Sequence, residues 1–167
     1  MEVFDCIKKR FSVRKFSDEI LGQEKLDLIL EAGRLAPTAK NIQPIKIYVV
    51  RSKDALEKID KASPCRYNSN CVLLVCGNKN MAFSKEDYST YEMDASIVTT
   101  HMMLEATNIG VGSIWVEKFD GDVLRNEFNI PEDLIPVCLL PLGYNDGYEP
   151  SPMHSKRKKI DEIVEYI

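Results

Sequence analysis

The residues of this chain best suited to chemistry stand near its start, in Arg10-Phe11-Ser12-Val13-Arg14-Lys15-Phe16. Side chains alternate along an extended backbone, so Arg10, Ser12 and Arg14 would project from one side, with Phe11 and Val13 opposite. Two fork-shaped guanidiniums and a rotatable hydroxyl on one edge form a donor set for phosphate. Read alone, the same segment is equally a solvated basic turn after a helix. A second basic run, Lys156-Arg157-Lys158-Lys159, lies near the other end. If the fold joins the two, an acidic protein acquires a local anion site.

A further polar stretch is Ala36-Pro37-Thr38-Ala39-Lys40-Asn41-Ile42-Gln43-Pro44. Two prolines bracket a loop rich in side-chain donors and acceptors, directly before a β-rich run. It reads either as a binding loop or as a plain connection.

Much chemistry is excluded. With only His101 and His154, a histidine-rich metal site is ruled out, so no metal is expected. The five cysteines are Cys6, Cys65, Cys71, Cys76 and Cys138, with no CxxC pair and several in apolar runs. They read as reduced thiols, mostly core, and not as an iron–sulfur set. No nucleophile elbow, acid–base pair or triad stands out. A net charge of −4 and a pI near 5.3 argue against nucleic acid as a partner. No apolar run approaches the roughly 18 residues of a membrane span. The start, Met1-Glu2-Val3-Phe4-Asp5, lacks the basic region and apolar block of a signal peptide, so a cytoplasmic protein is expected.

The elements that must position these groups follow from periodicity. Val3, Phe4 and Ile7 suggest a short helix over residues 2–9, and Leu26, Ile29, Leu30 and Gly33 a second over 23–35. Residues 45–50 form a strand, and a helix capped by Ser52 runs to about Lys61. Cys71–Cys76 is apolar throughout, as in a strand buried on both faces. A loop follows from Gly77 to about Ser84, and 86–91 is ambiguous. The longest helix spans 92–108, apolar over so wide an arc that it packs on the sheet and on a second subunit. There His101 is a packed or capping residue. Residues 113–116 form a short strand, Asp120 caps a helix to Phe128, and 134–140 is another strand despite Pro136. Ile160, Ile163 and Val164 suggest a last helix that anchors the end of the chain. The result is α+β, with four or five strands.

The motifs, taken in order, resemble those of the FMN-dependent nitroreductase family. Arg10–Phe16 is similar to its R-x-S-x-R/K-x-F signature, and Ala36–Pro44 to its A-P-S-x-x-N-x-Q-P loop, with threonine for serine. Gly110-Val111-Gly112-Ser113-Ile114-Trp115 resembles its G-x-G-S-x-W turn. Pro141-Leu142-Gly143-Tyr144 and Arg157–Val164 resemble its last strand and closing basic segment.

The resemblance implies one α+β domain over residues 1–167, with a central, mostly antiparallel sheet flanked by helices. It implies a homodimer with two FMN sites at the interface. Arg10, Ser12 and Arg157, with Phe11 beside them, would hold the FMN phosphate, and Arg14 would reach the pyrimidine edge or the ribityl chain. Pro37, Thr38 and Ala39 would come from the partner subunit, with Asn41 and Gln43 orienting the ribityl chain or the loop backbone. Trp115 would be a flavin wall or a core aromatic. The Val116-Glu117-Lys118 backbone would face the ring, the Glu117 N–H donating to N5, and Gly143 would allow close approach near the phosphate or the ribityl chain. The implied activity passes hydride from NADH or NADPH through FMN to nitroaromatics, quinones or similar small electrophiles, in a ping-pong cycle. A reductive dehalogenase, a flavin-degrading enzyme and a non-catalytic flavin-binding protein are the alternatives. The chain is short for the family, with no room for a large helical insertion over the flavin.

Overall fold

The structure is a computed structural model that describes residues 2–167. Its centre is β2, Cys71–Asn78, where every residue is buried. Cys71, Leu73 and Val75 enter one apolar cluster, and Val72, Leu74 and Cys76 enter another. A strand alternates its side chains, so an unbroken apolar run means a covered sheet on both sides. The first cluster is closed by Leu26 and Ile29 of α2 (Gln23–Arg34) and by Ala95, Val98 and Met102 of α4 (Tyr91–Asn108). The second is closed by Leu56 and Ile59 of α3 (Lys53–Ala62) and by Leu124 of α5 (Gly121–Phe128).

The sheet has four antiparallel strands in the order β1-β2-β6-β5, where β1 is Ile45–Val50, β5 Gly112–Ser113 and β6 Leu134–Gly143. A bulge between Val75 and Cys76 shifts the register, so that Pro136 faces Cys76. An irregularity of this kind is where a central strand tolerates proline. Between the sheet's flanking helices, α2 and α4 pack very closely: a Cβ on Gly33 would lie 2.8 Å from Met102 Cγ.

Helix ends follow the expected chemistry. The Ser52 hydroxyl accepts the Ala55 N–H at 3.3 Å, and Asp120 Oδ1 accepts the N–H groups of Asp122 and Val123, both at 3.0 Å. Replacing Asp120 with alanine leaves those two donors to water. We expect thermal unfolding to show a loss of about 1 kcal/mol, a midpoint some 2–4 °C lower.

Four readings need correction. Residues 113–116 do not form one strand: β5 ends at Ser113 and only Val116 rejoins β6, opposite Leu139. Between them Ile114 donates to the carbonyl of Pro141 at 3.3 Å, but a proline has no N–H to return. The strand begun at Cys71 runs two residues further than its apolar stretch, to Asn78. Residues 84–89 are a small hairpin, β3 (Ser84–Lys85) with β4 (Tyr88–Ser89). The last segment is only a 3-10 turn, Ile160–Glu162, and it anchors nothing within the chain. Ile160 and Ile163 stay 70% and 65% exposed because no apolar surface of their own subunit meets them. Among the described residues, no helix is long and apolar enough to cross a membrane.

Candidate functional site

Arg10 follows α1 (Val3–Lys9), its N–H closing the helix on the Cys6 carbonyl at 2.9 Å. From there the chain runs extended along the open edge of β5. Ser12 bridges Ser113 in parallel, and the Val13 N–H donates to the Ser113 carbonyl at 3.0 Å. Phe16 then bridges Asn145, and the Ser17 N–H reaches the Tyr144 carbonyl at 2.9 Å. Val13 and Phe16 are buried, which spaces the core contacts three apart. The expected alternation therefore holds through Arg14 and breaks at Lys15, which is exposed as well. Arg14 donates to the Ser12 carbonyl at 3.4 Å. Two glycines let this segment lie close on the sheet. A Cβ on Gly112 would come within 2.9 Å of Val13 Cγ2, and one on Gly143 within 3.1 Å of Phe16 Cδ1. The room left by Gly143 is thus taken by Phe16.

The two basic ends do meet. Burial, and then the charge of Arg157, pull the Arg10 guanidinium below its ordinary value. The rings of Phe11 and His154 meet edge to face at 6.3 Å, and Lys15 pairs with Asp146 at 2.7 Å. Among the described residues, Arg10, Arg14 and Arg157 have no carboxylate ion-pair partner, although five other pairs exist in the chain. Two guanidiniums held together raise one another's energy, and an anion between them relieves it. With Ser12 two residues on from Arg10, this donor set fits a phosphate.

Arg14 sits with Tyr148 and Tyr67. Hydrogen bonding to Tyr148, chiefly, raises its guanidinium above the ordinary value. Tyr67 in turn is raised, first by its hydrogen bond with Cys65. Tyr67 and Asn68 both adopt left-handed backbone, with φ of 53° and 66°, and the Phe16 N–H donates to the Tyr67 carbonyl at 3.3 Å. Neither tyrosine stands out in the sequence as a companion of Arg14, because only the fold brings positions so distant together.

After Val116, which exchanges both backbone hydrogen bonds with Leu139 at 2.9 and 3.0 Å, the chain leaves the sheet. The Glu117 N–H donates to none of the described residues, and its carbonyl accepts from Phe119 N–H at 3.0 Å. The Glu117 carboxylate takes the indole N–H of half-buried Trp115 at 3.0 Å.

The Pro37–Gln43 loop is strained. Lys40, Asn41 and Gln43 all lie in the left-handed region, with φ of 52°, 55° and 57°. Its own side chains tie it together: the Thr38 hydroxyl accepts the Gln43 N–H at 3.0 Å, and the Gln43 amide donates to the Asn41 carbonyl at 3.2 Å. Lys40 lies over the Phe83 ring at 4.3 Å. The loop leads into β1, where Ile45 pairs with Gly77. Arg10–Phe16, by contrast, follows β5, near the end where Leu142 pairs with Cys71. The Pro37–Gln43 loop and the Arg10–Phe16 segment therefore stand at opposite edges and opposite ends of one sheet. Strand spacing and rise put them roughly 14 Å apart across the sheet and 20 Å along it.

The description of the Nitroreductase family matches residues 7–70 and 66–144 of this chain. A solved nitroreductase family protein from Clostridium difficile 630 superposes with a TM-score of 0.93 at 36% identity, covering 99% of this chain and 98% of that one. The FMN reductase [NAD(P)H] of Bacillus subtilis is 27% identical over 96% of this chain and 71% of its own length. An Exiguobacterium sibiricum protein solved in complex with FMN shares the fold, with a TM-score of 0.86 at 20% identity over 100% and 98% of the two chains. On the family match and the Clostridium likeness together, this chain belongs to the nitroreductase family.

Proposed function

We propose that this protein is an FMN-dependent oxidoreductase. It takes hydride from NADH or NADPH and, in alternating half-reactions, delivers it to small electrophiles such as nitroaromatics or quinones. One observation carries the reading: the two basic ends meet, the Phe11 ring against the His154 ring at 6.3 Å, and among the described residues neither Arg10 nor Arg157 has a carboxylate ion-pair partner. Family membership and the FMN reductase relative point to the same cofactor and donor. Bound FMN supplies the hydride-carrying ring, so the protein needs to bind, orient and polarise.

Arg10, Ser12 and Arg157 hold the phosphate, with Phe11 packed beside them. Arg14, steadied by Tyr148 and Tyr67, brings positive charge to the pyrimidine edge. The Glu117 N–H serves as the donor toward N5, with Trp115 and Val116 behind it, and Gly143, at the end of β6, borders the phosphate side. Pro37, Thr38, Ala39, Asn41 and Gln43 lie too far from Arg10 to share one small ligand within a chain, so a second copy supplies them. That separation is the support for a homodimer. Leu35, Val49 and Met93, exposed at 65%, 42% and 51% on the elements around the loop, offer apolar surface for it. The five unpaired cysteines support a reducing, cytoplasmic setting.

The test is an anaerobic absorbance titration of FMN-loaded protein with NADH and then NADPH. Rapid bleaching of the flavin band by either donor, and recovery on adding a quinone or nitroaromatic, is the expected result. A band that persists with both donors but falls with dithionite would replace the reductase with a flavin-binding role.

A further inference from the structure

Asp94 lies in the first turns of α4 and is only 1% exposed. A carboxylate is buried at high cost unless its oxygens are satisfied. Both are: Oδ2 accepts the Thr90 hydroxyl at 2.8 Å, and Oδ1 accepts the Ala39 N–H at 2.8 Å. The first bond is local, but the second reaches a segment 55 residues away in the chain. An acid serving the helix alone would accept N–H groups of that helix's own first turn. Asp94 points outward instead, to the start of a loop with three non-glycine residues in left-handed backbone. Such backbone is unfavourable for residues with a Cβ, so the conformation lasts only where its surroundings over-determine it. The Thr38–Gln43 and Gln43–Asn41 bonds are internal to the loop and move with it. The Ala39–Asp94 bond ties it to the helical layer, and Thr90 fixes the rotamer that makes the bond.

We infer that Asp94 is a positioning residue: a buried carboxylate that clamps the Pro37–Thr38–Ala39 segment in the shape that meets the partner subunit's flavin. The inference rests on the proposed function for the flavin, but not for the clamp itself. In this arrangement a residue that touches no cofactor in its own subunit governs affinity in the other. Thr90 is its support, and Lys40 over Phe83 a second, weaker hold on the same loop.

The test compares wild type with Asp94→Ala, Asp94→Asn and Thr90→Val. It reads the FMN dissociation constant by flavin fluorescence, and amide hydrogen exchange over residues 36–44 in flavin-free protein. Asparagine can still accept the Ala39 N–H, so Asp94→Asn should stay within about threefold of wild type in both readouts. Asp94→Ala should weaken FMN by about tenfold and speed exchange at 39–43, with the β2 amides unchanged. Thr90→Val should act in the same direction to a smaller degree, and it carries the test if the alanine variant does not fold. A merely structural role would lower the thermal midpoint of all three variants without changing FMN affinity or local exchange in the folded protein. That result overturns the inference. If wild type binds no FMN, the proposed function fails, while unchanged exchange at 39–43 in the variants still decides against the clamp.

Discussion

Replacing Arg10 with glutamine should raise the dissociation constant for FMN by about tenfold to a hundredfold, the loss expected when one charge-assisted hydrogen bond to an anion is removed. Riboflavin, which has no phosphate, should bind wild type much more weakly than FMN, and Arg10→Gln should narrow that difference. Arg157→Gln should act alike. The double variant should lose less than the two effects summed, because both cations serve one dianion and each burdens the other. Fluorescence titration at two ionic strengths checks the prediction. An FMN affinity unchanged in Arg10→Gln would remove that arginine from the site.

Alkaline conditions should unfold the protein cooperatively near pH 11. Burial pushes the Cys71 thiol up to about 11, and the Cys76 and Cys138 thiols up to about 12, the last despite the Thr99 hydroxyl that favours its thiolate. In the unfolded chain these thiols ionise near pH 8.5–9. Below that range both states hold the proton and the stability is fully present. As pH rises through the window between the two values, the unfolded chain releases protons that the folded one keeps. Each thiol then subtracts about 1.4 kcal/mol per pH unit. Three together remove about 8 kcal/mol over two units, comparable to the whole stability of a domain. Urea unfolding at stepped pH measures the slope, and Cys76→Ala should reduce it by about a third. A free energy that stays flat from pH 8 to 11 would contradict the burial argument.

The parts of the fold legible in the sequence are those where one-sided burial dictates the pattern. The strand 45–50, the helix capped by Ser52 and the helix capped by Asp120 lie where their periodicity and caps place them. The 113–116 strand could not be judged from its own residues, because Pro141 of another strand interrupts its ladder. The closing segment carries helical spacing, but a spacing does not say whether an apolar surface lies there to receive it. At the site, the basic ends and the polar loop are visible as residue types. Their separation to opposite corners of the sheet is visible only once the strand order is known. Asp94 reads in the sequence as one more acid in the first turns of a helix. Its importance comes from a partner far along the chain, and no local pattern marks that.

The meeting of Arg10 with Arg157 also bears on biogenesis. A ribosome releases the first guanidinium early and the second only after the whole of β6 has followed. The sheet that holds them needs β6 to enter between β2 and β5, so the edge on which Arg10 rests is itself assembled late. A nascent chain can bury its early helices, but it cannot bring two guanidiniums to one anion before Arg157 is made. An anion site that uses both guanidiniums would therefore close only once translation has passed Arg157, and any chain cut short before that residue would lack one half of the grip.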